Sequence, residues 1–223
     1  KDFHCNEGMI KSDDIKKSKP GSILKTNKGI IYNVLESSFL DEYKKLKRGA
    51  QIIPRKDIGL IITETGITKD SIVIETGAGS GGLGCLLAKI VKKIHSYEIR
   101  EDFAKVAKAN RDRLGITNYK INLQDSKLGF KEKNVDVIVL DLPDPWELIQ
   151  VSKKALKIGG FIVSYSPTIP QVMDFVSNLD QDYKFIKTIE VAEKEWEVKG
   201  RKVRPKSQSI GHSGFLTFAR RMK

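Results

Sequence analysis

Between residues 71 and 166 the chain swings regularly between short β-branched runs and longer amphipathic stretches. "SIVIET", "IHSYEI", "YKINLQD", "VDVIVLDL" and "FIVSYSP" read as five strands. The segments "LGCLLAKIVKK", "REDFAKVAKANRDRLG" (stopped by Gly115) and "WELIQVSKKALKIGG" (closed by two glycines) carry helical periodicity between them. Strands that alternate with helices imply a largely parallel sheet covered on both faces, because each parallel crossover needs a helix. A further helix is expected around "IPQVMDFVSNL". After it, "KFIKTIEVAEKEWEV" and "SGFLTFARR" follow with no helix between them, so they are expected to pair antiparallel through the long loop "KGRKVRPKSQSIGH".

The first 48 residues have a different character. They are polar and lysine-rich, with turns at "KPGS" and "NKG", and read as a small accessory domain. Within it, Ile30, Val34, Leu35, Phe39, Tyr43 and Leu46 recur at helical spacing and predict a linker helix over "IIYNVLESSFLDEYKKL". The main domain is then expected over residues 49–223. A start at Lys1 rather than Met implies a missing upstream piece.

Composition narrows the class. Forty Lys and Arg against 28 Asp and Glu give a formal charge of +12, which suits a polyanionic partner and suits a solvated lysine surface equally. Cys5 and Cys85 are the two cysteines and form no metal-binding or disulfide pattern, so a reducing, cytoplasmic setting fits. No apolar run approaches the length of a membrane span and no signal-peptide pattern opens the chain.

Ligands of open parallel sheets bind beyond the carboxyl ends of the strands. The first strand ends in "ETGAGSGGLG", where Gly77, Gly79 and Gly82 satisfy GxGxxG, a turn that lets a ligand approach the backbone. The second ends at Glu98, 16 positions past Gly82, placed to accept hydrogen bonds from ribose hydroxyls. The third ends at Asp125, placed for an adenine amine. The fourth ends at Asp141, in "VLDLPDPW", where Pro143 and Pro145 stiffen the turn and Asp144 reads as a turn acid. Trp146 reads as packing. Each feature has a bland alternative: plain turns for the glycines, a surface ion pair for Glu98, a turn cap for Asp125. Together they point to an adenosine cofactor. NAD and S-adenosylmethionine share this layout, and Glu75 favours the second, because a carboxylate there can reach a methionine amino group or orient the loop.

These motifs resemble the class I methyltransferases and, among them, the tRNA adenine-58 N1-methyltransferases of the TrmI type, closest to archaeal members. The resemblance rests on "KRGAQIIPRKDIGLII", "IETGAGSGGL", "SYEIREDFAKVAKAN", "LDLPDPWE", "GGFIVSYSPTIPQV" and "VRPKSQSIGHSGFLTFARR", and extends over almost the whole chain. It implies a Rossmann-like α/β fold with a mostly parallel seven-stranded sheet and a late antiparallel strand. The N-terminal β-rich domain looks incomplete beside the barrel it implies. It further implies that Ser80, Gly81, Gly82 and Leu83 hold the methionine end of S-adenosylmethionine, Glu98 its ribose and Asp125 its adenine. Asp141 is implied as the catalytic acid, itself near the cofactor, and Gln51 as a residue closing over cofactor or base. Tyr165 and Pro167, at the end of the fifth strand, either line the base pocket or pack the turn, and for His212 the resemblance suggests a pocket wall where the plain reading is a satisfied loop histidine. Arg204 belongs to the basic stretch 199–206 that, with "KKLKR" (44–48), Lys92 and Lys93, would meet the phosphates of tRNA. A homotetramer is implied. Two other readings stay open: the same chemistry on a small molecule or protein side chain, and a non-catalytic RNA-binding subunit. The intact glycine loop, Glu98, Asp125 and Asp141 argue against the latter.

Overall fold

The computed structural model describes residues 1–207 and 211–223. Part of the long loop read from the sequence, "QSI" at 208–210, lies outside the described residues. The chain divides into two units, Lys1–Lys45 and Leu46–Lys223. Residues 46–48 go with the second because Leu46 is buried and the Lys47 backbone is bonded on both sides by Asn110.

In the first unit two short hairpins, β1 (Phe3–Cys5) with β2 (Gly8–Ile10) and β3 (Ile23–Lys25) with β4 (Ile31–Asn33), flank α1 (Ser12–Lys17). The Thr26 hydroxyl donates to the Glu7 carbonyl at 2.9 Å and ties one hairpin to the other. The helix expected over residues 30–46 is present only as α2 (Phe39–Lys44). Two local signals overrule the apolar spacing. The turn at residues 27–29 sends Ile31–Asn33 back along β3, and Ser38 forms a reciprocal capping box with Asp41 that starts the helix at Phe39. Leu35, counted into the helical stripe, is 79% exposed.

The second unit opens with α3 (Arg55–Thr65) and continues as β5 (Ile72–Thr76), α4 (Gly82–Leu87), β6 (Lys93–Glu98), α5 (Glu101–Arg113), β7 (Tyr119–Leu123) and β8 (Val135–Leu140). After β8 come α6 (Ile149–Ala155), β9 (Leu156–Ser166), α7 (Ile169–Ser177) and β10 (Tyr183–Glu190). A separate hairpin, β11 (Trp196–Lys199) with β12 (Lys202–Pro205), precedes β13 (Phe215–Arg221). The seven-stranded sheet runs β10-β13-β9-β8-β5-β6-β7. Strand β13 is antiparallel to both neighbours, and the remaining pairs are parallel. Central strands are continuous β-branched runs because both faces are covered: Ile74, Ile138 and Leu140 are inaccessible to solvent, as are Leu148 and Phe175 packed against them.

Two element ends differ from expectation. Gly159 and Gly160 do not close α6, which stops at Ala155; they lie inside β9, in a bulge. Val135 pairs with Leu156 but Val137 pairs with Phe161, so several residues of β9 loop out opposite one of β8, and Gly159 takes φ +79° there. Helix α4 ends at Leu87, shorter than the periodic stretch "LGCLLAKIVKK". The stretch "KFIKTIEVAEKEWEV" is likewise two strands, β10 in the sheet and β11 in the exposed hairpin.

This topology dictates where a ligand can bind. The chain moves outward from β5 through β6 to β7, then returns to lay β8 on the other side of β5. The crevice left by that reversal opens between the carboxyl ends of β5 and β8. Thr76 pairs with Leu140, so the next residues, Gly77 and Asp141, face each other across it.

Candidate active site

A cleft of about 600 Å³ occupies that crevice. Gly77, Gly79, Gln51, Glu98, Asp125 and Asp141, all singled out by the sequence, line it. Backbone geometry makes the glycines necessary. Gly77 has φ +77°, and a Cβ built on it would stand 2.0 Å from the Asp141 carbonyl oxygen. A Cβ on Gly82 would meet Ile52 at 2.1 Å, and one on Gly81, at φ +76°, would press on Ala107 at 3.1 Å. The loop is therefore packed tightly between the 50–52 segment, α5 and the end of β8.

Hydrogen bonds hold the loop in that shape. The Ser80 hydroxyl accepts from the backbone N–H groups of Gly49 (2.9 Å) and Ala50 (3.1 Å). Asn110, on the buried face of α5, donates to the Ser80 carbonyl (2.9 Å) and to the Lys47 carbonyl (2.8 Å), and accepts from Lys47 N–H (3.0 Å). Its one amide thus joins α5, the glycine loop and the segment leading to Gln51. Replacing Asn110 by Ala strands three polar groups. Asn110→Ala is expected to cost about 2 to 4 kcal/mol in a denaturant titration and to weaken cofactor binding alongside.

The charged lining is mostly acidic: Glu98, Asp125, Asp141 and Asp144 against Arg100 and Lys127. Glu98 accepts Gly79 N–H on one oxygen and Arg100 N–H on the other, each at 2.9 Å, leaving further lone pairs for a ligand's hydroxyls. Asp125 caps a short 3₁₀ turn, Ser126–Leu128, by accepting Lys127 N–H at 2.9 Å. Asp141 is bound through its own N–H to the Thr76 carbonyl at 3.1 Å. Burial, helped by the Glu98 charge, pushes its carboxyl up to about 7. Glu75 lies beneath the loop, where its carboxylate takes hydrogen bonds from Ser96 and, at 3.3 Å, Tyr119. Burial pushes it up to about 8. Among the described residues none of Glu75, Glu98 and Asp141 has an ion-pair partner, in a chain of net charge +12.

Not every expected residue reaches the cleft. Glu75, Ser80, Gly82 and Leu83 border only a small void below it, and Gly81 borders neither. Tyr165 is 7% exposed, and its hydroxyl donates to the Ser213 carbonyl at 2.7 Å. His212 bridges Glu190 (2.5 Å) and the Pro167 carbonyl (2.8 Å), and these partners raise its pKa, the Glu190 contact most. Arg204 sits on the exposed hairpin paired with Glu197 at 2.9 Å. Tyr165, Pro167, His212 and Arg204 all stand outside the cleft lining. Trp146 packs against the hydrophobic core.

Sequence reading passed over several residues that do line it. The Arg100 guanidinium lies 3.7 Å over the Phe103 ring, both lining the cleft with Tyr97 and Lys127. Their signal was adjacency to Glu98 and Asp125. Asp144, read from the sequence as a turn acid, lines the cleft too. The "PRKD" segment forms a lock: Lys56 bonds Asp57 (2.8 Å) and Ser213 (2.6 Å), and Ser213 donates to Asp57 at 2.8 Å.

Glu98 and Asp141, without ion-pair partners in a glycine-lined crevice, suit a ligand that brings both ribose hydroxyls and positive charge. S-adenosylmethionine brings them, with a sulfonium and an ammonium, so the residues fit it. Fold and cleft together define a class I S-adenosylmethionine-dependent methyltransferase. A family model described as "tRNA methyltransferase complex GCD14 subunit" matches residues 43–207. The chain belongs to that family. The tRNA (adenine(57)-N(1)/adenine(58)-N(1))-methyltransferase TrmI of Methanocaldococcus jannaschii is 38% identical over 249 residues, covering 98% of this chain and 87% of the relative. The tRNA (adenine(58)-N(1))-methyltransferase TrmI of Thermus thermophilus is 30% identical over 229 residues, covering 99% and 89%. Among solved structures, an S-adenosylmethionine-dependent O-methyltransferase of Thermotoga maritima aligns with a TM-score of 0.92 and 32% identity, over 100% of this chain and 86% of that one. The tRNA (m1A58) methyltransferase TrmI of Aquifex aeolicus, at TM-score 0.87 and 23% identity over 100% and 90%, shares the fold.

Proposed function

We propose that this chain transfers a methyl group from S-adenosylmethionine to N1 of adenine 58 in the T-loop of tRNA, with adenine 57 as a second target. The observation that carries the reading is Asp141: a carboxylate without a cationic partner, held at the topological switch point against the glycine loop. The bound cofactor supplies an activated methyl, released to a nucleophile as its S–C bond breaks and sulfur keeps the electron pair. Adenine N1 is a neutral nucleophile whose lone pair needs alignment more than a base. Asp141 provides that alignment by accepting a hydrogen bond from the exocyclic amine, and its charge stabilises the positive charge that develops on the ring. Glu98 and Asp125 hold the adenosine end of the cofactor, and the backbone at Gly77 and Gly79 lets its methionine end approach. Because N1 lies on the pairing edge, the target base must be extruded from the RNA. The basic stretches 44–48 and 199–206 are proposed to take the phosphates, in a cytoplasmic homotetramer. Among the described residues no helix is long and apolar enough to cross a membrane.

Reverse transcription of the treated tRNA tests the target, since an N1-methylated adenine blocks pairing. Stops at 58 and 57 are expected, and their loss from transcripts with those adenines replaced; stops elsewhere would contradict the assignment. Light scattering should give four times the 25.1 kDa chain mass.

The raised pKa of Asp141 sets a pH dependence. Below about 7 its carboxyl is protonated and loses the negative charge that stabilises the cation developing on the ring, whereas adenine N1 stays neutral. The expected kcat/KM therefore rises about tenfold per pH unit up to pH 7 and then levels. For folding the sign is opposite. A carboxyl with a raised folded pKa stabilises the fold at low pH and loses that contribution as pH rises toward 7. Binding of a cationic cofactor offsets the loss, so its thermal stabilisation should be larger at pH 8 than at pH 6.

A further inference from the structure

Residues 168–171, at the start of α7, carry the pattern T-x-x-Q, which ordinarily forms a reciprocal helix cap. Here the pattern is diverted. Thr168 occupies the cap position, yet its hydroxyl makes no cap bond. It donates instead to Oε1 of Gln171 at 2.7 Å, and Nε2 of Gln171 donates to the Pro143 carbonyl at 3.0 Å. The amide orientation is forced, because a backbone carbonyl can only accept, so nitrogen must face Pro143 and oxygen must face the hydroxyl.

Pro143 is two residues past Asp141. The near side of that turn is held to the sheet by the Asp141 N–H on Thr76. The far side contains Pro143 and Pro145, which bring no N–H of their own to brace it. Leu142 and Trp146 rest on the apolar cluster that includes Phe175 of α7, so this helix supports the turn from below while Gln171 holds its carbonyl.

We propose that Gln171, oriented by Thr168, is a positioning residue for Asp141: it sets the direction in which the carboxylate meets the target base. The inference rests on the adenine-methylating reading above. Its test measures 1-methyladenosine formation by wild type, Asp141→Asn, Gln171→Met and the double variant, with cofactor Kd and Tm for each. Met keeps the length and apolar stem of Gln and removes the donor. Gln171→Met should lower kcat about tenfold with KM for tRNA and cofactor Kd within about twofold, since a misplacement below 1 Å costs that much. In the Asp141→Asn background the same change should cost less than about twofold, because no carboxylate remains to be aimed. Thr168→Val, which leaves Gln171 in place but unoriented, should fall between wild type and Gln171→Met, and decides the matter by the same readouts if Gln171→Met does not fold. An unchanged kcat, an equal loss in both backgrounds, or a loss matched by weaker cofactor binding overturns the proposal. A wild-type chain that forms no 1-methyladenosine overturns the functional reading and this inference with it. Activity lost in Asp141→Asn but intact in Gln171→Met overturns the inference alone.

Discussion

Asp141→Asn is expected to lower kcat for tRNA methylation by about 10² to 10³ while cofactor Kd moves less than about tenfold. The substitution keeps shape and volume and leaves an amide oxygen that can still accept a hydrogen bond. What it removes is the negative charge, whose value is greatest when the target ring becomes cationic. Ground-state binding should therefore survive better than turnover. The pH profile of the variant should also flatten, because the group whose protonation shapes it is gone. Asp144→Asn provides the contrast: this second acid of the turn also borders the cleft but is exposed, so solvent screens its charge, and its loss should change kcat less than about threefold. Steady-state kinetics with isothermal titration of the cofactor separates the two effects, and equal losses for both variants would remove Asp141 from its role.

Gly77→Ala should be more damaging than any change of the acids, since it is expected to abolish cofactor binding and turnover together. The residue sits at φ +77°, where an L side chain costs about 1 to 2 kcal/mol. The larger effect is steric. A Cβ would lie 2.0 Å from the Asp141 carbonyl oxygen, and backbone cannot rotate aside as a side-chain tip can. The end of β8 must separate from β5, breaking the Asp141 N–H to Thr76 bond and spoiling the crevice that the cofactor enters. A loss of at least about 10²-fold in affinity is expected, with turnover near background. Gly66→Ala isolates the backbone term, because Gly66 ends α3 at φ +63° with nothing within 4 Å of a built Cβ. It should cost about 1 kcal/mol of stability and leave methylation intact. Similar activity in the two variants would show that the close approach at Gly77 is dispensable.

The sheet was legible because its central strands are buried on both faces, so their β-branched runs are uninterrupted, and because each ends at a residue whose chemistry is unusual for a core. Gly77, Glu98, Asp125 and Asp141 could be placed around one cleft on that basis. What escaped was decided by pairings between distant segments. The β9 bulge at Gly159 exists because the strand must re-register on β8, which no local pattern shows. The helix predicted over residues 30–46 lost to a turn and a capping box whose signals, "NKG" and Ser38 with Asp41, were both visible but were outweighed by apolar spacing. Ser80 and Asn110 act on backbone 30 to 63 positions away. Gln171 was read only as part of the helix "IPQVMDFVSNL", and its partner is 28 positions back in the chain.

The most direct test of the central claim is nucleoside analysis of an unmodified tRNA transcript after incubation with methyl-labelled S-adenosylmethionine and the purified chain. Label in 1-methyladenosine, near one equivalent per tRNA when one site is used, is the expected result. Label confined to ribose 2′-oxygens, or absent from the RNA while the cofactor binds, would contradict it and would point the same fold toward an oxygen nucleophile or a different substrate.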